Sequence, residues 1–320
     1  MPLDPQMKLV LEMAAELGVK EYHAPTVEEA RARLNLLPRP KQQLGAERIE
    51  DRTIPGPGGQ IPVRIYTPGG SPPFPVLMFF HGGGWMLGGL DSEDAICRGF
   101  AIGAGCVTVS VDYRLAPEHR FPAATEDCYA ATCWVAENAA EIGGDPARVA
   151  VGGNSAGGGL ATVVAMMARD RRGRPALVHQ LLLCPALDAA MDRPSYRTNP
   201  EGYLLTRADM AWFWKHYLAG EQDKLNPYAC PLRAKDLGGL PPAMVITAEF
   251  DPLRDEGEAY AARLRVAGLP VACTRYEGVI HSFVSMFEVL DLGKQALAEA
   301  CAGLRRAFGI EPPASPERRA

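Results

Sequence analysis

The sequence lacks a long hydrophobic run, an excess of basic residues and an apolar leader. No apolar run reaches the roughly 20 residues of a membrane-spanning helix, so we expect no stable membrane association. The formal net charge of −5 argues against a nucleic-acid partner, because nucleic-acid-binding surfaces are rich in lysine and arginine. Residues Met1 to Pro5 contain no basic segment ahead of an apolar stretch. We therefore expect no secretory signal and a cytoplasmic protein.

The sequence also lacks cysteines at metal-binding spacing. Eight cysteines are dispersed along the chain, and no two of them form a C-x-x-C motif. Most lie within apolar runs, as reduced cysteines of a protein core do. We therefore expect no metal site and no cysteine nucleophile. These residues are Cys97, Cys106, Cys128, Cys133, Cys184, Cys230, Cys273 and Cys301.

Continuous apolar runs are the main feature of the rest of the chain. Of the 320 residues, 47% are hydrophobic and 22% are charged, which is typical of a globular protein. Apolar runs without polar alternation are typical of parallel strands that are covered on both faces. Helical patterns separate these runs, so we predict a doubly wound α/β sheet. Strands are predicted at 76–80, 107–111, 149–151, 181–183, 244–247 and 271–276, helices at 93–102, 123–138, 158–171, 255–266 and 285–307, and a hairpin at 48–54 and 61–66.

Two helical segments lie outside this alternation. The first is N-terminal, where Leu9, Leu11, Met13, Ala14 and Leu17 have a rough helical spacing. The second is an insertion whose aromatic helix is predicted at 208–218, with Thr206 as its N-cap and Gly220 as its stop. A helix on the flank of the sheet is the alternative, but we predict that both segments form a cap over the strand ends. The predicted divisions are cap helices at 1–45, a catalytic domain at 46–187 and 232–310, the cap insertion at 188–231, and a flexible tail at 311–320.

A serine stands between an apolar strand and a helix of small residues. Gly153 and Gly157 flank Ser155 at two residues on either side, which allows a sharp turn that projects the hydroxyl from the strand end. The helix that follows adds N–H donors and the positive end of its dipole. By itself the pattern also suits an ordinary glycine-rich turn or a phosphate-binding loop.

A nucleophilic serine needs a base, and the base needs a carboxylate that fixes its tautomer. Asp251 follows the strand at 244–247, and His281 follows the last strand. The order Ser155, Asp251, His281 is the nucleophile, acid and base order of α/β-hydrolases. Glu249 is the second choice for the acid, and Asp255 is better explained as a residue of the first helical turn.

A glycine-rich loop, His81 to Trp85, follows the first apolar strand. Its backbone N–H groups can donate to the oxyanion that develops during acyl transfer. We predict an oxyanion hole formed by the N–H groups of Gly83, Gly84 and Ala156. A flexible turn or a dinucleotide-binding loop is the alternative, but the G-x-G-x-x-G spacing is absent.

Four motifs together resemble the hormone-sensitive lipase family of α/β-hydrolases, in its bacterial and archaeal esterase branch. They are HGGGW at 81–85, DYRLAPE at 112–118, GNSAG at 153–157 and DPLRDEG at 251–257. The resemblance implies an eight-stranded, mostly parallel sheet, a helical cap, no cofactor, and hydrolysis of short- to medium-chain carboxylic esters. The sequence departs from the family pattern at two positions. Asn154 replaces the usual Asp or Thr before the nucleophile, and Ser282 replaces the usual Gly after the catalytic histidine.

The sequence therefore predicts a serine carboxylesterase that acts on a small-molecule ester through an acyl-enzyme. An amidase or β-lactam hydrolase on the same triad is an alternative. A non-catalytic ligand receptor on the same fold is another, which the presence of His281 argues against. Members of the family often pair through the last strand, so we expect a homodimer. The residues predicted to line the ester pocket are Trp85, Leu204, Leu205, Met210, Phe213 and Trp214.

Overall fold

The computed structural model describes residues 2–19, 21–23, 26–36, 45–172 and 174–310. Its strands are β1 Arg48–Gly56, β2 Gly59–Thr67, β3 Phe74–Phe80, β4 Val107–Val111, β5 Gly144–Asn154, β6 His179–Leu183, β7 Ala243–Phe250 and β8 Val271–Ile280. Its helices are α1 Pro5–Glu16, α2 Val27–Leu36, α3 Asp94–Ala104, α4 Ala123–Glu137, α5 Ala156–Asp170, α6 Ser195–Thr198, α7 Arg207–Tyr217, α8 Arg254–Val266 and α9 Asp291–Phe308. None of the described helices has both the length and the apolar content to cross a bilayer. The tail predicted at 311–320 lies outside the described residues.

The eight strands form one sheet in the order β1-β2-β4-β3-β5-β6-β7-β8. β2 is antiparallel to both β1 and β4, and every other neighbouring pair is parallel. The eight-stranded, mostly parallel α/β sheet expected from the sequence is therefore confirmed. The carboxyl ends of its parallel strands meet at one edge, so the loops that follow them are neighbours.

The burial of β3 explains why the central strands have no polar alternation. All seven of its residues are buried. Met78 and Phe80 belong to one hydrophobic cluster, whereas Leu77 and Phe79 belong to another. Since successive side chains of a strand point to opposite faces, both faces of the sheet are covered by apolar residues.

The last helix differs from its prediction at 285–307. The structure has a 3-10 turn at Phe283–Met286, and α9 begins only at Asp291. Phe283 and Leu290 are fully buried, and Phe287 is nearly so. These side chains anchor the intervening segment to the core, so the chain leaves the helical path before α9 begins.

The predicted apolar face of the N-terminal helix is only partly correct. Leu9, Met13 and Leu17 are 58%, 60% and 67% exposed, and Met7 is the buried residue of α1. The helix is attached at its first turn, where the backbone N–H of Asp4 donates to the carbonyl of Gly278, at 2.9 Å. Met7 is therefore the fully buried residue of α1, while Val10 and the predicted Leu11 are half-buried and pack against the same core cluster.

Helix α7 lies over the loops at the carboxyl edge of the sheet. Thr206 is its N-cap, as predicted, and forms a capping box with Asp209. The helix ends at Tyr217, one residue before the predicted end at 218. The carbonyl of Tyr217 accepts from the N–H of Phe121, at 2.8 Å, in the segment that follows β4. Trp214 packs on Trp85, in the loop that follows β3, with ring centroids 4.4 Å apart. The domain divisions at 45/46, 187/188 and 231/232 stay a prediction.

Candidate active site

Ser155 occupies a strained turn between β5 and α5. Its φ of 56° and ψ of −118° lie outside the conformations that side chains other than glycine favour. A Cβ atom on Gly157 would collide with the carbonyl oxygen of Phe80, and one on Gly153 would collide with the backbone of Gly157. The two glycines therefore allow β5 and α5 to pack closely while the serine stays at the apex.

Backbone hydrogen bonds hold the serine in this conformation. Its N–H donates to the carbonyl of Leu183, at 2.8 Å, and its carbonyl accepts from the N–H of Ala186, at 3.0 Å. Both partners belong to β6 or to the segment that follows it. Hydrogen bonds to the neighbouring strand and to the segment after it therefore hold Ser155 in its strained conformation.

The Ser155 hydroxyl contacts the imidazole of His281, which in turn contacts the carboxylate of Asp251. His281 Nε2 is 2.9 Å from Ser155 Oγ, and His281 Nδ1 is 2.7 Å from Asp251 Oδ2. The Asp251 side chain is fully buried. Since an ionised carboxylate only accepts hydrogen bonds, Nδ1 carries the hydrogen and Nε2 accepts from the serine. This arrangement can deprotonate the hydroxyl as it attacks an electrophile.

The rival carboxylates point elsewhere. The Glu249 carboxylate accepts from the N–H of Gly278, at 2.7 Å. Asp255 accepts from the N–H of Ser195, at 2.7 Å, and pairs with Arg254. Asp251 is the carboxylate that reaches His281, and its other oxygen accepts from the N–H of Leu253, at 2.8 Å.

The glycine-rich loop turns back toward Ser155. Gly83 and Gly84 have φ angles of 110° and 60°, which favour glycine. The Gly83 carbonyl accepts from the N–H groups of Met86 and Leu87, at 3.1 and 2.9 Å, so the loop is closed on itself. Ala156 begins α5, where N–H groups have no carbonyl one turn earlier to bond.

His81 shapes this loop from behind. Its Nδ1 bonds the carbonyl of Gly82, at 2.7 Å, and its ring stacks on Tyr113 with centroids 4.2 Å apart. Burial lowers the pKa of His81 to about 4, so the ring is neutral near neutral pH. The ring belongs to the support of the loop.

A cavity of about 180 Å³ opens at Ser155 and His281. Of the residues predicted to line the pocket, Leu205 and Phe213 do so in the described part of the chain. Trp85 and Trp214 pack on one another and on Tyr217 instead. Leu204 and Met210 are also outside the lining. Helix α7 carries aromatic residues on more than one face, so the sequence pattern did not indicate which face meets the cavity.

Other lining residues were missed by the sequence analysis. They come from three separated parts of the chain: Tyr22, then Leu87, Ser92 and Glu93, then Ser285 and Met286. Tyr22 faces Phe213, with ring centroids 6.0 Å apart, so the N-terminal segment and α7 meet over the cavity. The signal that was available for Glu93 was the unusual Asn154, whose amide donates to the Glu93 carboxylate at 3.0 Å.

Cys184 lies behind the imidazole. Its Sγ is within 4.8 Å of ligand atoms of Asp251 and His281. Burial raises the pKa of the Cys184 thiol well above its ordinary value, so the thiol is neutral. His179 is buried in β6 with both ring nitrogens unpaired among the described residues.

Comparisons with known proteins agree with this geometry. A family model described as the alpha/beta hydrolase fold matches residues 77–285. The carboxylesterase NlhH of Mycobacterium tuberculosis is 43% identical over 316 residues, which cover 96% of each chain. The arylesterase of Saccharolobus solfataricus is 38% identical and covers 89% of this chain and 93% of its own.

Solved structures give the same result. A hyperthermophilic esterase from Pyrobaculum calidifontis has a TM-score of 0.89 at 42% identity, covering 96% of this chain and 99% of its own. A thermostable esterase from Pseudomonas putida has a TM-score of 0.92 at 40% identity, covering 97% and 99%. The sheet, the turn at Ser155 and these similarities together establish that the chain belongs to the hormone-sensitive lipase-like family of α/β-hydrolases.

Proposed function

We propose that the chain is a serine carboxylesterase whose nucleophile, base and acid are Ser155, His281 and Asp251. The observation that carries this proposal is the continuous contact from Oγ through the imidazole to a buried carboxylate, at 2.9 and 2.7 Å. A receptor that only bound a ligand would not need this alignment. The named carboxylesterases among its relatives support the same reaction.

Acylation begins when Ser155 Oγ attacks the ester carbonyl carbon and His281 Nε2 accepts the hydroxyl proton. Asp251 accepts a hydrogen bond from Nδ1 and stabilises the imidazolium that forms. The tetrahedral intermediate then collapses. The bond between the carbonyl carbon and the alkoxide oxygen breaks, and His281 donates its proton to the leaving alcohol.

Deacylation repeats these steps with water. The water oxygen attacks the acyl carbon while His281 accepts a proton from that water. His281 then returns the proton to Ser155 Oγ as the bond between Oγ and the acyl carbon breaks and the acid leaves. In both halves we propose that the N–H groups of Gly83, Gly84 and Ala156 donate to the oxyanion. Removal of one such donor typically costs about 2.7–4 kcal/mol of transition-state stabilisation.

The size of the cavity favours small esters. Its volume of about 180 Å³ is below the usual range for pockets that hold drug-sized ligands. Leu205, Phe213 and Met286 supply apolar surface, while Ser92 and Glu93 supply polar atoms on another side. We therefore propose that esters with short acyl chains are the preferred substrates. On a separate ground, the net charge of −5, we propose no nucleic-acid partner.

We also propose a cytoplasmic homodimer that pairs through β8. The eight cysteines are free thiols, which is typical of reducing compartments. β8 is the last strand in the sheet order, so one of its edges has no neighbouring strand. Light scattering at micromolar concentration is expected to give twice the chain mass of 34.5 kDa. A mass of one chain would contradict the proposed dimer but not the proposed esterase function.

The test of the proposed function compares two serines that line one cavity. A fluorophosphonate probe is expected to label the wild type and S92A but not S155A, with the label on the peptide that contains Ser155. S155A should lose hydrolysis of p-nitrophenyl butyrate and keep its thermal midpoint, because the hydroxyl is small and lies at the cavity. Labelling at another serine, or hydrolysis by S155A, would contradict the proposal.

A further inference from the structure

The carboxylate of Glu93, just before α3, reaches three loops of the site. Its Oε1 accepts from Asn154 Nδ2, at 3.0 Å, and lies 3.4 Å from the N–H of Gly82. Its Oε2 accepts from Ser285 Oγ, at 3.0 Å. One side chain therefore holds the glycine-rich loop, the strand end before the serine, and the loop after the histidine.

Each of these partners is next to a group of the proposed mechanism. Gly82 precedes Gly83, Asn154 precedes Ser155, and Ser285 lies in the 3-10 turn that follows His281. A second bond closes the network, because Ser282 Oγ donates to Asn154 Oδ1 at 3.1 Å. The Asn154 amide thus donates to Glu93 with one end and accepts from Ser282 with the other.

The position is unfavourable for a carboxylate. Glu93 is 7% exposed, and among the described residues its hydrogen-bond donors are an amide, a hydroxyl and a backbone N–H. Burial raises the pKa of Glu93, although those three donors and His281 oppose the rise. A buried carboxyl without a cationic partner usually reduces stability, which points to a role in function.

We propose that Glu93 is a positioning residue, and that its carboxylate and the Asn154 amide form a matched pair that fixes Ser155 relative to the glycine-rich loop and to His281. This inference rests on the proposed esterase function and adds to it a residue outside the triad. Other ionisable groups near Glu93 are His281, Tyr22, Tyr113 and Cys97. Burial raises the pKa of the two tyrosines and the cysteine, so these three are neutral near neutral pH.

The matched pair explains the asparagine that departs from the family pattern. An aspartate at position 154 would place a second acceptor-only carboxylate against Glu93 Oε1, at the 3.0 Å now spanned by an N–H donor. Two carboxylates at that distance cannot both be ionised without strong repulsion. Glu93 therefore requires a donor at position 154.

The test exchanges the donor and the acceptor. The variants are E93Q, N154D and the double variant E93Q/N154D, in which an amide at position 93 can donate to a carboxylate at position 154. At pH 8 we expect kcat to fall about tenfold in E93Q and about a hundredfold in N154D, since small misplacements of reacting groups have effects of this size. The double variant should recover at least about tenfold over N154D, which is the coupling of a contacting pair. KM should change little.

D94N is the matched control. It removes the adjacent carboxylate, which faces Arg64, Arg98 and Tyr66 instead of the cavity. Its kcat is expected to match that of the wild type. If D94N lost as much kcat as E93Q, the loss would result from the removal of any negative charge in this region, and the proposal would be overturned.

The stability of E93Q distinguishes a positioning role of Glu93 from a structural one. Since the folded-state pKa of Glu93 is raised, the group favours folding below its ordinary pKa, and that contribution is lost as pH rises through the folded value. The free energy of unfolding of the wild type minus that of E93Q should therefore fall with rising pH. At pH 8 the thermal midpoint of E93Q should equal or exceed that of the wild type, although its kcat is lower.

Besides an equal loss in D94N, three further outcomes would overturn the proposal: full kcat in E93Q, a clearly lower midpoint of E93Q at pH 8, or a double variant no better than N154D. If N154D does not fold, a folded and active double variant still supports the pair. In all these cases the wild type hydrolyses the ester and takes the probe at Ser155. Failure of the wild type in those two assays would instead refute the proposed function.

Discussion

The loops that carry the proposed triad, here called the triad loops, and the segments that cover the cavity are held by different forces. The triad loops have close glycine contacts, backbone hydrogen bonds and buried polar partners such as Glu93 and Asn154. The covering segments are residues 21–23 and α7, which contribute Tyr22 and Phe213 to the cavity lining, together with α2, which follows residues 21–23 in the chain. They are attached mainly by aromatic packing and by ion pairs with exposed members. We infer that the triad loops set the rate of the reaction, while the covering segments select the substrate.

The covering segments have two polar anchors. His23 Nδ1 lies 2.8 Å from Asp209 Oδ1 at the start of α7. In α2, Arg31 pairs with Glu118 at 2.7 Å and donates to the carbonyl of Met86, at 2.9 Å, next to the glycine-rich loop. The first contact joins two covering segments to each other, and the second connects the cover to the end of the glycine-rich loop. Neither uses a residue of the triad.

The largest effect is expected from D251N. An amide at this position can donate to His281 Nδ1 and so favour the tautomer that cannot accept the Ser155 proton. We expect kcat for p-nitrophenyl butyrate to fall about 10⁴-fold, with KM little changed. E249Q is the control, because Glu249 bonds the Gly278 N–H instead of His281. An equal loss in E249Q would mean that the acid is misassigned.

A moderate effect is expected from two neighbouring residues of α7. F213A should move the acyl-chain optimum of p-nitrophenyl esters toward longer chains, because Phe213 lines the cavity and Trp214 does not. Each additional methylene that is buried contributes about 0.8 kcal/mol, or roughly fourfold in kcat/KM.

W214A is the matched control for F213A, since both side chains are buried in the same helix. It should lower the thermal midpoint and keep the wild-type chain-length profile. If both variants shift the profile equally, the division of α7 into a lining face and a packing face is wrong.

A small effect is expected at the anchor of α2. The Arg31 guanidinium lowers the pKa of Glu118 to about 2. Its contribution to stability is therefore present above the ordinary glutamate pKa and is lost as pH falls through the folded value of about 2. Because Glu118 is about half exposed, E118Q should cost no more than about 1 kcal/mol in urea unfolding at pH 7.

The control for E118Q is E29Q, which removes an exposed pair with Arg33 on the same helix. Its free energy of unfolding should change less than that of E118Q, and kcat should stay within about twofold in both. A large loss of kcat in E118Q alone would place the α2 anchor among the groups that set the rate.

The sheet and the order of the site residues could be predicted because each rests on a local signal. Strands such as β3 are apolar at every position because both faces are covered. The loops after parallel strands meet at one edge, so Ser155, Asp251 and His281 were candidates for one site from chain order alone.

The lining of the cavity could not be predicted in the same way. Phe213 and Trp214 are adjacent apolar residues of one helix, and only the packing of Trp214 on Trp85 shows which of them turns away. Glu93 is 61 residues before its partner Asn154, so no local pattern connects them. Nor did the spacing in α1 indicate that Met7 is its fully buried residue.

The most direct test of the central claim is to trap the covalent intermediate. Wild-type protein is mixed with p-nitrophenyl acetate, quenched in acid within milliseconds and digested for mass spectrometry. We predict a burst of nitrophenol close to one equivalent and an acetyl group on the peptide that contains Ser155. An acetyl group on another residue of the cavity, such as Ser285, would contradict the account.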